Sequence, residues 1–572
     1  MRRPSAASGL ALSLHLAVAA PPAIDAHRID AAFASYDEPG SPGCAVGVLS
    51  AGTILYARGH GLASLEHAVP ITPETVFDLG STSKQITAAA IGLLALDGKL
   101  SLDDDVRKSV PEIPDYGTVI TLRHLLTHTS GLRDYTDLLS LAGKREEDVT
   151  TNADALAILA RQRALNFKPG AEYRYSNTGF FLASVVVERV SGRTLREFAR
   201  ERLFRPLGMA HTEFLDDHTQ VVPGRATGYA PREGGGFMVA MSNWEQAGDG
   251  SAQSSVSDLF HWAGNFESGT VGGRRLIDML EGQGRLLDGT PLDYGLGLVL
   301  EEHRGQRLVS HGGAWAGYRA MLMRFPALRL SVVTLCNVDT ADTTALSLAA
   351  ADAALDALGV AGGPAASMAQ GGASGEAGAV ERSARLAGVY VNEHLGEVAR
   401  LAPLSPGLRL SGIGSPKDLL PEPGGAPAPG TGPRFATADG HIRVAFEPDG
   451  SKMQLASRSL GPRPEPFVRA GGQGATAPPA VSRDAAGGYG SPELGATLTV
   501  AVKDGALVLR LPTGDEGGLV ALAPDLYESD FGLVRLVRDR RGRVASLALT
   551  NRGLAGFTLP RLATHSPGGA SR

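Results

Sequence analysis

From Ala361 to Gly378 the chain is a run of glycine, alanine and serine through which neither a helical nor a strand period can be traced. Such a stretch cannot bury a core, so it divides the 572 residues into parts that must each find their own. Before it, residues 25–360 alternate helical and strand patterns with loops short enough for one compact α/β unit. Cys44 to Tyr56 reads as a strand pair turning at Ala51-Gly52. Ile86 to Leu96 and Thr178 to Val190 read as helices that are apolar nearly all round, and three strand-like runs follow at Arg307 to Ser310, Tyr318 to Phe325 and Leu330 to Cys336. After the linker at residues 361–381 the pattern changes to short strands between turn residues, and it repeats. Ala387-Gly388-Val389-Tyr390 returns as Ala486-Gly487-Gly488-Tyr489, and Leu395-Gly396 returns as Leu494-Gly495 at the same offset. Two β modules are expected, residues 382–470 and 484–562, joined by a second loose stretch at 471–483. Pro421 to Pro433 forms a low-complexity surface loop in the first of them.

Charge and cysteine content exclude several classes of partner. Lys+Arg 54 against Asp+Glu 60 leaves no basic footprint for nucleic acid or an anionic membrane surface, and two cysteines cannot form a disulfide framework. At the N-terminus, Met1-Arg2-Arg3 precedes an apolar run from Gly9 to Ala20 that ends in small residues. This predicts a secretory signal at residues 1–20 and an exported, periplasmic product. No later apolar stretch is long enough for a transmembrane anchor.

Lysine is scarce, eight residues against forty-six arginines, and only lysine can lose its proton at an accessible pH. Lys84 stands three residues after Ser81 in Gly80-Ser81-Thr82-Ser83-Lys84, just ahead of the apolar helix. That spacing puts hydroxyl and amine on one face, where burial lowers the amine's pKa and the helix N-terminus favours a developing oxyanion. A capping serine followed by a lysine lying along the surface is the plainer alternative. Tyr175-Ser176-Asn177 precedes the second apolar helix. A tyrosine can relay a proton and an asparagine can both hold an amine and donate to a carbonyl, although the pair also suits simple packing and capping. Ser310-His311-Gly312-Gly313-Ala314 follows a strand; its glycines permit close backbone approach to a ligand, or mark an ordinary turn.

Taken in order, Ser-x-x-Lys, Tyr-x-Asn and His-x-Gly resemble the three motifs of the penicillin-recognising serine hydrolases. The segments Val69 to Phe77, Leu125 to Leu132, Arg205 to Met209 and Tyr294 to Gly297 are similar to the class C β-lactamase-related branch. The resemblance implies an antiparallel sheet flanked by helices, with a helical subdomain. It implies acyl transfer through a Ser81 ester, with Lys84 and Tyr175 handling protons and Asn177 holding Lys84 and the substrate amide. The N–H groups of Ser81 and Ala314 would form an oxyanion hole, with His311, Gly312 and Gly313 on the substrate-binding side. His128 would support the site, and no metal or cofactor is called for. Where many relatives carry a lysine at the third motif this chain has His311, which argues against a substrate carboxylate. D-aminopeptidases share the histidine form and carry two extra antiparallel β-barrel-like domains, which the two modules resemble. The expected activity is therefore an exported ester or amide hydrolase of D-aminopeptidase or esterase type acting on a small-molecule or peptide acyl substrate. A β-lactamase or D,D-peptidase, and a non-enzymatic sensor, are the alternatives. The implied sheet also makes the strands of Cys44 and Cys336 neighbours, where two buried thiols are favoured over a strained disulfide. The linker leads us to expect that the catalytic unit keeps a core of its own.

Overall fold

Residues 44–50 alternate between two apolar surroundings, and that alternation sets the layers of the catalytic unit. Cys44, Val46 and Val48 pack to one side among Ile29, Phe33 and Ala350, while Ala45 and Leu49 pack to the other with Ile86 and Leu259. In the computed structural model this strand, β1 (Cys44–Ser50), pairs with β2 (Thr53–His60), and the rest of the sheet comes from β3 (Val299–His303), β4 (Gln306–Trp315), β5 (Tyr318–Phe325) and β6 (Leu330–Cys336). The order is β3-β4-β5-β6-β1-β2, with every pairing antiparallel. Helices α1 (Ala26–Phe33), α2 (Lys84–Leu96), α3 (Asn177–Ser191), α4 (Val256–Ser268) and α5 (Thr343–Ala357) cover it, α1 and α5 on one face and α4 on the other. Gly47 lets α4 come close, since a Cβ there would lie 2.5 Å from the ring of Phe260.

The structure describes residues 23–361, 383–422, 432–438, 440–457, 459–471 and 481–563. The expected signal segment lies outside these, as do most of both expected linkers and of the Pro421 to Pro433 loop. No helix among the described residues is long and apolar enough to cross a membrane.

The sheet corrects two expectations. The third motif is not a turn after a strand ending at Ser310: β4 runs on through Gly312 and Gly313 to Trp315, with Gly313 opposite Ala320. Cys44 and Cys336 are not free thiols but a disulfide, with Cα atoms 4.0 Å apart, because the β1–β6 register sets them directly opposite each other.

The β modules are eight-stranded and antiparallel. The first is a closed barrel from Gly388–Asn392 to Glu465–Arg469. The second runs from Gly487–Ser491 to Phe557–Pro560 and is nearly closed, with a bridge from Tyr489 to Arg561. The repeat seen in sequence has a physical basis. Tyr390 and Tyr489 are both fully buried, each donating to the carbonyl four residues earlier, at Leu386 and Ala485. Gly388 and Gly487, with φ near +153° and +154°, make room for Arg469 and Arg561, whose guanidinium groups bond to Ala387 and Ala486. The first barrel has its own core, but the buried apolar side chains of the second are continuous with those of the catalytic unit, so the expectation of a wholly separate catalytic core does not hold.

Candidate active site

The turn that presents Ser81 is forced by its neighbours. Gly80 has φ +48°, and its N–H is taken by Asp78 Oδ1 at 2.7 Å, while Asp78 Oδ2 accepts from Gln253. A left-handed residue here needs glycine, and a Cβ would also lie 2.7 Å from the main-chain nitrogen of Ala314. One tight turn, Gly80–Ser83, then leads into α2, whose buried alanines and leucines fix it at the centre of the unit.

Lys84, on the first turn of α2, is fully buried, and its Nζ donates to three acceptors. These are Ser81 Oγ at 2.9 Å, Asn177 Oδ1 at 2.9 Å and the main-chain carbonyl of Asp249 at 2.6 Å. Burial pulls the amine down to about 8, against the opposing pull of the Asp249 and Asp134 carboxylates. Tyr175 lines the cleft together with Ser81, and its ring centroid lies 4.9 Å from Nζ. Burial, reinforced by Asp249 and Asp134, drives its phenol well above the ordinary range, so the hydroxyl stays protonated.

Asn177 opens α3 without a capping bond from the preceding Ser176. The cap arrives from elsewhere in the fold: Asp134 Oδ2 accepts from the N–H of Asn177 and from Ser176 Oγ, and His128 Nδ1 accepts from the N–H of Ser176 at 3.1 Å. His128 sits beneath the site in a left-handed conformation, φ +56°, its ring tilted against that of Tyr175 with centroids 4.2 Å apart. Burial and Lys84 hold it far below its usual pKa, so it is neutral.

On the opposite side β4 runs against the serine turn. A Cβ on Gly313 would lie 1.9 Å from the carbonyl of Leu79 and 3.0 Å from the nitrogen of Ser81. Ala314 lines the cleft, but His311, Gly312 and Gly313 are not among its lining residues. His311 is buried and neutral, its pKa lowered to about 3 by burial and by Lys84. Its Nδ1 lies 2.7 Å from the carbonyl of Gly312, which can only accept, so that nitrogen carries the proton and Nε2 accepts from Tyr294 at 2.8 Å. Placed this way, His311 braces the strand instead of presenting a charge.

The cleft encloses about 240 Å³ between Ser81, Tyr175, Asn177, Ala314, Trp244 and Trp315. The two indoles meet at 5.6 Å and also line a neighbouring groove of about 440 Å³, whose far wall comes from Leu511, Thr513 and Phe531 of the second barrel. Sequence reasoning missed Asp134, Tyr135, Asp249 and Tyr294 as site residues. Only Tyr294 lay inside a segment singled out above, whereas Asp249, in Gly248-Asp249-Gly250-Ser251, looks like any polar loop. Burial pushes the Asp249 carboxyl up to about 6 against the pull of Lys84. Among the described residues one group could hold a metal ion, Asp217, His218 and Glu245, with ligand atoms within 4.8 Å of one another, and none of the three lines the cleft.

The chain matches the protein family described as Beta-lactamase over residues 29–357. A D-aminopeptidase of Gluconobacter oxydans is 31% identical over 387 residues, which cover 67% of this chain and 69% of that protein. A D-aminopeptidase of Brucella anthropi is 32% identical over 298 residues, 52% of this chain and 56% of that protein, so the match spans little more than half the Brucella protein's length. Among solved structures, the octameric penicillin-binding protein homologue from Pyrococcus abyssi has a TM-score of 0.54 at 23% identity, covering 78% of this chain and 100% of that one, a likeness of fold.

Proposed function

The chain belongs to the beta-lactamase family and is a serine hydrolase, and from that premise we propose that it cleaves amides or esters of D-amino acids through an acyl-enzyme on Ser81. The observation that carries this reading is the 2.9 Å contact between Lys84 Nζ and Ser81 Oγ, with the amine buried and its pKa lowered.

In the reactive form Lys84 is a neutral amine. Ser81 Oγ attacks the substrate carbonyl and its proton passes to Lys84 Nζ, so a C–O bond forms as an O–H bond breaks. Charge accumulates on the carbonyl oxygen, where the N–H groups of Ser81 and Ala314 meet it; each such donor is typically worth about 3–4 kcal/mol. Asn177 Oδ1 holds the ammonium that has formed, which leaves the Nδ2 group to donate to a substrate carbonyl. Tyr175, still protonated and lining the cleft beside Ser81, gives its proton to the departing amine or alkoxide and refills its own hydroxyl from the Lys84 ammonium. Water then repeats the sequence in reverse, giving up a proton along the same path and releasing Ser81.

A β-lactam or a peptide ending in a carboxylate fits less well, because no arginine or lysine is among the residues lining the cleft and His311 is neutral. The disulfide suits an oxidising compartment, which supports export to the periplasm. An activity-based fluorophosphonate tests the assignment. Wild-type protein is expected to be labelled on Ser81 alone, and Ser81→Ala to lose both label and turnover while melting as cooperatively as wild type; label on another serine contradicts it.

A further inference from the structure

The cleft at Ser81 does not end at its tryptophans. Trp244 and Trp315 line both the cleft and the neighbouring groove of about 440 Å³, so a ligand lying over the two indoles passes from one into the other. Strand β4 determines which part of a substrate does so. The ring of Tyr175, which protonates the departing group in the proposed reaction, lies 6.4 Å from that of His311. Trp315 stands four residues further along β4, about 13 Å at roughly 3.3 Å per residue. Ala314, whose N–H serves the carbonyl oxygen, lies between them. With that oxygen held, the leaving group points to the Tyr175 end and the acyl substituent to the tryptophan end.

Both walls of the groove are set before a ligand arrives. Trp244 is buried, and its Nε1 donates to the carbonyl of Arg145 at 2.8 Å. Opposite it, the second barrel contributes the turn between strands Ala506–Arg510 and Glu516–Ala523, closed by the N–H of Leu511 on the carbonyl of Asp515 at 2.9 Å. Pro512 of that turn rests on Gly143, where a Cβ would lie 3.0 Å from the proline Cβ. Trp244, Trp315, Leu511 and Phe531 offer apolar and aromatic surface. Hydroxyl groups and charges of both signs, Lys144 and Arg145 against Glu146, Glu147 and Asp515, complete the lining. An aliphatic chain would take water from those polar groups and return no hydrogen bond, whereas a peptide has a side chain for the rings and main-chain N–H and C=O groups for the rest.

We propose that this groove is a subsite for the residue preceding the D-amino acid whose carbonyl Ser81 attacks, and that the preferred substrate is a peptide with an apolar residue at that position. The inference rests on the reading of Ser81 as nucleophile toward D-aminoacyl groups and adds to it a second subsite, built in part by the second barrel. Contacts remote from the scissile bond raise kcat/KM because the binding energy they supply is kept in the transition state.

The test compares L-phenylalanyl-D-alanine p-nitroanilide with D-alanine p-nitroanilide on the full-length wild-type protein and on Phe531→Ala. Wild type is expected to favour the longer substrate by at least about tenfold in kcat/KM, the scale of burying one aromatic side chain. In Phe531→Ala that ratio is expected to fall to within about threefold of unity. A phenylalanine that only held the barrel in place would, on substitution, slow both substrates alike, so an unchanged ratio in the folded variant overturns the proposal. Wild-type enzyme that turns over both equally, or prefers D-alanine p-nitroanilide, also overturns it with no variant needed. Hexanoyl-D-alanine p-nitroanilide supplies apolar length without the preceding residue's polar main chain; a preference for it as large as that for the dipeptide overturns the assignment to a peptide. If Phe531→Ala lacks a cooperative melt, Thr513→Trp replaces it by filling the groove from the barrel turn, with the same fall expected and an unchanged ratio again contradicting the idea. Cleavage of none of these substrates while Ser81 still takes a fluorophosphonate overturns the D-amino-acid reading and the subsite with it. Loss of that label as well contradicts the serine mechanism itself, an outcome distinct from equal turnover.

Discussion

Lys84 is placed where its charge is hardest to keep, fully buried on α2, yet every one of its N–H groups has an acceptor. That balance brings the amine to about 8 and sets the pH dependence. Only the neutral amine can accept the serine proton, so the acylation rate should rise about tenfold per pH unit on the acid side and level off above pH 8 or so. Stopped-flow acylation across pH 5 to 10 measures it; a rate that falls with rising pH through this range contradicts the assignment. Arginine supplies charge but cannot act as a base, so Lys84→Arg should lose at least about 100-fold in the acylation rate. Ser81, Lys84, Tyr175, Asn177 and Ala314 were singled out by the order of three short motifs, each ambiguous alone, and the fold brings them to one cleft. Asp134 and Asp249 were not. Their roles arise from contacts across the fold, to Asn177 and Tyr135, which no spacing along the chain encodes.

At the scale of elements, the site is assembled from two helix starts and one strand. α2 brings Lys84, α3 brings Asn177, and β4 lays Gly313 and Ala314 against the serine turn. Helices α2 and α3 could be read from their apolar runs because burial on all sides leaves a pattern in composition. The full extent of β4 could not, because glycine pairs read as a turn until a neighbouring strand is known to continue beside them. The disulfide was misjudged for a related reason: its likelihood of forming depends on which residues of β1 and β6 face each other, a property of register. It closes a loop with a sequence separation of 292, so replacing both cysteines with alanine should cost about 2–4 kcal/mol in urea unfolding of the catalytic unit. Wild-type stability in the double variant contradicts a structural role.

Across the whole molecule the second barrel is a support for the site as well as an appendage. The carbonyl of Gly553 accepts from the N–H of Asp134 at 3.0 Å, Arg133 pairs with Glu493 at 2.7 Å, and the Arg133 guanidinium lies over Phe557. Asp134 in turn caps the helix that carries Asn177. Gly553 admits no side chain, since a Cβ would lie 1.9 Å from Asp137 Oδ2 and 2.5 Å from the Cβ of Asp134. Gly553→Val should therefore slow Ser81 labelling by about tenfold in the full chain, and ending the chain at residue 378 should do at least as much while lowering the melting temperature. Full-rate labelling in both would remove the barrel from the account. The modules themselves were visible as a repeat because buried tyrosine and glycine recur in register, but their docking was not, being carried by single loops with no periodicity. The central claim is that Ser81 forms an acyl-enzyme with the substrate. It is tested most directly by quenching turnover of a D-alanyl ester in acid and mapping the added mass by peptide mass spectrometry. The account predicts a D-alanyl adduct on the peptide containing Ser81, and none in Ser81→Ala; an adduct on another residue, or turnover persisting in Ser81→Ala, contradicts it.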